Sequence, residues 1–407
     1  LTDAGLDAAE ALASLSEHSE PGPGVTRLPF TPEHRAALDR LTALMESAGL
    51  TVSLDAAGTL VGRAEGPPGA PTLLMGSHQD SVREGGAFDG IMGVVLPLLA
   101  LARLRLEGTA LPLSVEVLAF ADEEGVRFPT ALLGSRALAG TVDPAVLEMA
   151  DAEGTTLGDA LRRFGLDPAA IPGLRRDPAT IAGFVETHIE QGPVLEAAEA
   201  PLGVVTAICG IERHAVTVTG ETGHAGTLPM EGRRDALVAA ARIVSEVDRL
   251  ARAEPPMRGT VGALSVAPGV VNAVPREVRL TAELRSPEDT QRLRAGKALH
   301  AACARIATEH GLTVDAARTY AQPAQPCDPT LSDRLAAAVT AVTGSEPPRL
   351  PSGATHDASA MADLCPMTML FVRCRGGISH DPAEYAAPDD MGAAVEALAK
   401  LIADWPA

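Results

Sequence analysis

Basic residues are scarce in this chain. Of its 407 residues, 33 are Lys or Arg against 53 Asp or Glu, a formal charge of −20, and Lys297 and Lys400 are the only lysines. So acidic a surface repels a phosphate backbone or an anionic bilayer, so neither nucleic acid nor membrane is expected as a partner of the bulk surface. A small molecule is the expected ligand. Cysteine is also sparse: Cys209, Cys303, Cys327, Cys365 and Cys374 are odd in number, scattered and without a CxxC pair. That excludes a disulfide framework and a thiolate zinc site, and points to a reducing, cytoplasmic compartment. Aromatics make up only 2%, part of a bias towards Ala and Arg that says nothing about function. Long apolar runs are missing as well, since residues 91–102 are broken by Gly93 and Pro97 and fall short of the ~20 residues of a spanning helix. The first residues include acidic ones and no basic stretch ahead of an apolar run, so no export signal is expected.

What is present suits a globular protein, 46% hydrophobic and 21% charged, and the length predicts about two domains. Thr31, Pro32 and Glu33 followed by Leu38, Leu41, Leu44, Met45 and then Gly49 read as a capped amphipathic helix. Strands are predicted at 51–54, 59–63 and 72–75, and a glycine-rich loop at 85–90 leads into an apolar helix over 91–106. A second apolar strand follows at 113–120. Strand, helix and strand in that order imply parallel pairing through a crossover, with polar residues at the carboxyl ends, where open α/β sheets bind ligands. A third run, 184–191, alternates so that Glu186, His188 and Glu190 are predicted to share one face.

The grammar changes near residue 210. Strand 214–219, helix 233–253, strands 259–266 and 277–285, helix 288–310 and strand 312–320 spell β-α-β-β-α-β, a ferredoxin-like unit complete in itself. Beyond a Pro/Gln stretch at 322–329 the chain returns to α/β character, with a buried strand at 367–372. The fold class expected is therefore α/β, with a mixed, largely parallel sheet and an inserted ferredoxin-like α+β domain. The boundaries are 1–209 and 326–407 for the catalytic domain and 210–325 for the insert.

Acids and imidazoles cluster at the strand ends. Gly76-Ser-His-Gln-Asp80 sets Asp80 two residues after His78, able to orient the ring without itself being a ligand. Gly85-Gly-Ala-Phe-Asp-Gly90 puts Asp89 in a loop, where its carboxylate can bridge two cations. Asp122-Glu-Glu124 places three acids at a buried strand end, where they repel one another unless a metal neutralises them. With His188-Ile-Glu-Gln-Gly192, and with Ser379-His380 followed by Pro382 and Glu384, the inventory is one of His and carboxylate ligands, suited to a hydrolytic Zn or Mn centre. His18, His34, His300 and His310 stand in polar or helical contexts and read as surface residues. The glycine-rich loop lacks a following Lys-Ser/Thr, so nucleotide binding is not expected.

In this order, GSHQDSVREGGAFDGIMGV, FADEEGVRF, HIEQGPVLE, GHAGTLPM, SGATHDA and GGISHDPAEY resemble the amidohydrolases of the dinuclear-metal M20 peptidase clan. Within it, the closest likeness is to the allantoate amidohydrolase and N-carbamoyl-L-amino acid hydrolase (hydantoinase/carbamoylase) group. Each motif alone is weak, but together, over about residues 76–390, they are specific. The resemblance implies an aminopeptidase-like catalytic domain and two divalent ions, Mn or Zn, held by His78, Asp89, Glu124, His188 and His380, with Asp89 bridging. It makes Glu123 the general base towards the attacking water. It sets His224 of the His-Ala-Gly motif against the substrate carbonyl, Asn272 and Arg285 on the substrate carboxylate, and Gln191 towards the ligand. Thr355 departs from the family's SGAGHDA pattern, which has Gly there, so the pattern does not give the shape of the nearby loop.

The β-α-β-β-α-β unit leaves an edge strand to pair, so a homodimer joined lid to lid is expected, and the resemblance further implies that lid residues can complete the neighbouring subunit's site. Asp122 in DEEGVRF, LGSRALAGT and the Gly before His224 look more like the allantoate enzymes; an N-carbamoyl-L-amino acid hydrolase or β-ureidopropionase is the alternative and would share every residue named. A binding protein that has lost its chemistry would be expected to lack Glu123 or a ligand, and a dipeptidase to carry an acidic motif in place of HIEQ. The expected activity is thus hydrolysis of a ureido C–N bond in a small carboxylate.

Overall fold

The computed structural model describes residues 3–406. The first part of the chain forms α1 (Ala4–Ser16), α2 (Pro32–Ser47), β1 (Thr51–Leu54), β2 (Leu60–Ala64), β3 (Thr72–His78), α3 (Ile91–Leu106), β4 (Ser114–Phe120), α4 (Leu133–Ala139), α5 (Leu157–Arg163), β5 (Ile181–Ile189), α6 (Val194–Ala197) and β6 (Leu202–Ile208). Then come β7 (Gly210–Thr219), α7 (Ala236–Ala253), β8 (Arg258–Thr260), β9 (Leu264–Ala267), β10 (Glu277–Ser286), α8 (Asp289–His310), β11 (Thr313–Gln322) and β12 (Gln325–Pro326). The chain closes with α9 (Pro329–Thr343), β13 (Arg349–Ser352), α10 (Asp357–Met361), β14 (Met367–Val372) and α11 (Pro388–Ala403). Two compact units result, one built from the chain up to Thr206, Cys327–Leu350 and His356 onward, the other from Ala207–Pro326 and Pro351–Thr355.

In the first unit the strands run β1-β2-β4-β3-β5-β14-β6, and the central four, β4, β3, β5 and β14, are parallel. Their flanks, β1-β2, β2-β4 and β14-β6, are antiparallel. Every residue of β3, β4 and β14 is buried, as expected of strands covered on both faces. Apart from Arg103 and Arg105 in its last turn, α3 is apolar all round and lies in the core with α1 and α11, which is why it shows no amphipathic stripe. Thr31 caps α2 by accepting the His34 N–H at 3.3 Å, as the sequence predicts.

Two local expectations change. β3 runs three residues further than predicted, because Gly76, Ser77 and His78 stay paired with Leu118, Ala119 and Phe120 of β4. His34, read as a surface residue, is 1% exposed. Its Nδ1 accepts the Phe30 N–H at 2.7 Å, and its ring packs 4.8 Å from that of Phe164.

The second unit is a sheet in the order β11-β7-β10-β8, with β9 also on β10, covered by α7 and α8. The single strand predicted at 259–266 is broken into β8 and β9. Thr260 pairs with Glu283 and Leu264 with Leu280, so one extra residue bulges out around Gly262. The Thr281 hydroxyl takes up the Ala263 N–H there, at 3.2 Å.

Candidate metal centre

Parallel pairing of β3 with both β4 and β5 brings the carboxyl ends of three strands together. His78 ends β3, Glu123 and Glu124 follow β4, and His188 lies near the end of β5. Asp89 comes from the loop before α3 and His380 from the loop after β14. His78 Nε2 stands 3.5 Å and His188 Nε2 3.1 Å from Asp89 Oδ1. On the other side, His380 Nε2 is 3.2 Å from Asp89 Oδ2 and 3.8 Å from Glu124 Oε1. Glu123 Oε2 lies 3.9 Å from His78 Nε2. The two oxygens of Asp89 therefore face two separate ligand groups, His78 with His188 and Glu124 with His380.

The donor set demands positive charge. His78 Nδ1 is bonded to the Asp80 carbonyl at 2.9 Å and His188 Nδ1 to the Ile189 carbonyl at 2.8 Å. A carbonyl only accepts, so Nδ1 carries the hydrogen and each Nε2 of a neutral ring turns a lone pair towards Asp89. Acceptors facing at such distances need a proton or a cation between them. Burial raises Glu123 well above the usual carboxylate range, with His78 opposing and Glu124 and Asp357 adding to the rise. Burial likewise pushes Glu124 up to about 7. Asp89, against burial, is held well below that range by His188, His380 and His78. The residues thus fit divalent cations: carboxylates and imidazoles converge, and Glu124 Oε1 is buried with no hydrogen-bond partner among the described residues.

The supporting contacts differ in part from expectation. Asp80 steadies His78 through its backbone carbonyl, while its carboxylate accepts the Glu123 N–H at 3.1 Å and the Glu124 N–H at 3.2 Å. Gln191, expected to face the ligand, donates to Asp89 Oδ2 at 3.0 Å. Glu190 leaves the face it was expected to share with Glu186 and His188. β5 ends at Ile189, Gln191 takes φ 57°, and the Glu190 carboxylate accepts the N–H groups of Val194 and Leu195 at the start of α6.

Three further residues support the centre: Glu384, expected only as a member of the carboxylate inventory, Glu186, expected only on the face of His188, and His356, which went unread. Glu384 accepts the N–H of Asp89 at 3.0 Å and the Ser379 hydroxyl at 3.0 Å, tying the loops of Asp89 and His380 together. Glu186 accepts the Ser77 hydroxyl and the Ala358 N–H, both at 2.7 Å. His356, 1% exposed, packs its ring 4.5 Å from His188. The last two had a signal, since Glu186 shares the alternating face of His188 and His356 stands in SGATHDA.

The remaining expected residues belong to the second unit. His224 is exposed and pairs with Ala273 in an isolated bridge, and the Ala225 N–H donates to the Asn272 carbonyl at 2.9 Å. The segments of His224 and Asn272 are thereby side by side. Arg285 is engaged, its Nε donating to Glu283 and its Nη1 to the Gly353 carbonyl, each at 2.6 Å. Thr355 is half-buried in the segment Pro351–Thr355.

Residues 74–404 match the family described as Peptidase family M20/M25/M40. The chain belongs to this family. It is 41% identical to an N-carbamoyl-L-amino acid amidohydrolase of Geobacillus stearothermophilus, over 93% of each chain. It is 38% identical to an allantoate deiminase of Arabidopsis thaliana, over 97% of this chain and 81% of that one. An amidase of the hydantoinase/carbamoylase family from Burkholderia multivorans, known from its crystal structure, shares 33% identity at a TM-score of 0.92, covering 98% of this chain and 97% of that one. The M20 chain is accordingly a metal-dependent amidohydrolase with an aminopeptidase-like α/β fold. No helix among the described residues is long and apolar enough to cross a membrane.

Proposed function

We propose that this chain hydrolyses a ureido C–N bond in a small carboxylate, with allantoate as the substrate and ammonia and CO2 released. The observation that carries this reading is the division of Asp89, one oxygen towards His78 and His188 and the other towards His380 beside Glu124. These five residues would hold two divalent cations, Mn or Zn, with Asp89 shared. Bound there, such ions supply Lewis acidity that polarises a carbonyl and makes a water acidic enough to attack near neutral pH.

The chain's own residues do the rest. Glu123, buried and raised towards its protonated form, takes a proton from the attacking water and returns it to the leaving nitrogen. Asp80 fixes the backbone from which Glu123 and Glu124 project. His224 donates to the oxyanion, and Asn272 and Arg285 take the substrate carboxylate. For Arg285 this means exchanging Glu283 for the substrate. β11 ends its sheet with one edge unpaired among the described residues, which suits a homodimer joined edge to edge through the second unit.

A specific observation also favours N-carbamoyl-L-amino acids as substrates, the 41% identity to a protein of that name. Steady-state assays of the Mn-loaded protein with allantoate, ureidoglycolate, N-carbamoyl-L-amino acids and dipeptides decide between the two. The highest kcat/KM with allantoate is expected. A clear preference for an N-carbamoyl-L-amino acid transfers the function to that substrate, and turnover of dipeptides alone overturns the ureido reading.

A further inference from the structure

The stretch before β1 lies outside the family match, yet it contains a buried cation bonded to the residue that follows His78. Arg27 is 2% exposed. Its Nε donates to the Gln79 carbonyl at 2.7 Å, and its Nη1 to the carbonyls of Leu15 at 3.0 Å and His18 at 3.2 Å. The Arg27 backbone is held too, its N–H by the Ser81 hydroxyl at 2.9 Å and its carbonyl by the Ser81 N–H at 3.1 Å. All these guanidinium acceptors are backbone carbonyls, so among the described residues no direct ion pair offsets the cost of burying the charge. Burial lowers Arg27 to about 10 and the Asp80 carboxylate opposes the drop, which leaves the group charged at neutral pH.

The two ends of this clamp explain its position. Leu15 and His18 supply carbonyls at the C-terminal end of α1, where the helix dipole favours a cation. The Gln79 carbonyl belongs to the same rigid peptide plane as the Asp80 N–H. Orienting that plane orients Asp80, and Asp80 in turn holds His78 Nδ1 through its carbonyl and the amides of Glu123 and Glu124 through its carboxylate. One hydrogen bond to Gln79 therefore acts on an imidazole and two carboxylates at once.

We propose that Arg27 is a positioning residue of the hydrolytic site, which fixes the 79–80 peptide plane and thereby sets His78, Glu123 and Glu124. It couples α1, outside the family match, to the centre. The inference rests on reading those three residues as the metal-binding and proton-transferring groups.

The test uses the full chain, treated with chelator and titrated with Mn2+ by calorimetry, alongside kcat, KM and thermal midpoint. Arg27→Met keeps bulk and removes the donors. It should weaken Mn2+ binding by roughly 10- to 100-fold, the range for losing a group that orients a ligand, and lower kcat more than it raises KM. Arg27→Lys retains the charge but not the planar fork and should fall between wild type and Arg27→Met. Val339→Ala opens the buried face of α9, away from α1 and the Gln79 carbonyl, and should lower the thermal midpoint while leaving Mn2+ affinity at the wild-type value.

Wild-type Mn2+ affinity and kcat in Arg27→Met, or an equal loss of affinity in Val339→Ala, overturns the proposal. Should Arg27→Met fail to fold, wild-type affinity in Arg27→Lys does so. A wild-type protein that takes up no Mn2+ instead overturns the reading of the centre itself, so the two failures are distinguishable.

Discussion

Replacing Gly90 with Ala tests whether the His78 ring is held where the chemistry needs it. Gly90 follows Asp89 and has φ +66°, and a Cβ built there lies 2.3 Å from His78 Cε1 and Nδ1 and 2.5 Å from Nε2. Ordinary contact begins near 3.5 Å, so the imidazole has to retreat by roughly 1 Å. Such a displacement of a reacting group costs about 10²-fold in rate. The positive φ, paired with ψ −61°, adds about 1–3 kcal/mol of strain, and overpacking a further ~1–3 kcal/mol.

Gly69→Ala separates these contributions. Gly69 has φ +79° with nothing within 4 Å of the added Cβ, so it carries the backbone strain alone. Measured on Mn-loaded proteins with the best substrate, kcat/KM should fall at least 10²-fold in Gly90→Ala and stay near wild type in Gly69→Ala, both with lowered thermal midpoints. Wild-type kcat/KM in Gly90→Ala, or an equal loss in Gly69→Ala, would refute the reasoning.

Glu123→Gln keeps size and leaves the five ligand residues in place, so kcat should drop by at least the ~10²-fold typical of a lost general base, while metal analysis still finds two ions per chain; undiminished kcat would remove Glu123 from this role. Exhaustive chelation should abolish turnover and Mn2+ or Zn2+ should restore it, since neutralising the clustered acids is what the ions do there; full activity in rigorously metal-free protein would contradict this. His34 is held well below its ordinary pKa by burial, with Arg27, Arg35 and Arg127 adding to the effect, so the unfolded chain binds the extra proton first. Stability should therefore fall as pH drops below about 6.5, at up to ~1.4 kcal/mol per pH unit from this residue. His34→Asn, which can still accept the Phe30 N–H, should flatten that part of the urea-midpoint profile, and an unchanged slope would count against the assignment.

Much of the catalytic unit was legible because its signals are local. A Thr-Pro-Glu cap, apolar runs of strand length and glycine stops act over a few residues, and α2, α3, β4 and β14 follow them closely. The acids and imidazoles at strand ends were visible for the same reason, since packing alone does not call for them in apolar surroundings. α1 escaped because its buried face is made mainly of Gly and Ala, which leave little hydrophobic contrast to read.

The class of chemistry follows from residue types and their order alone: His and carboxylate donors without thiolates, in an order matching one family. Which oxygen of Asp89 faces which imidazole is set by the fold, since His78 and His188 become neighbours through the parallel pairing of β3 with β5, more than a hundred residues apart in the chain. The fold also decided that the Asp80 carboxylate serves the backbone after β4, that Glu190 caps α6, that Arg285 leans on Glu283 and that His34 is buried. Each of these turns on long-range register, on where a strand ends or on which face of a helix meets the core. Local propensity does not carry that information, because the competing arrangements differ in contacts made far along the chain and not in the residues that flank the site.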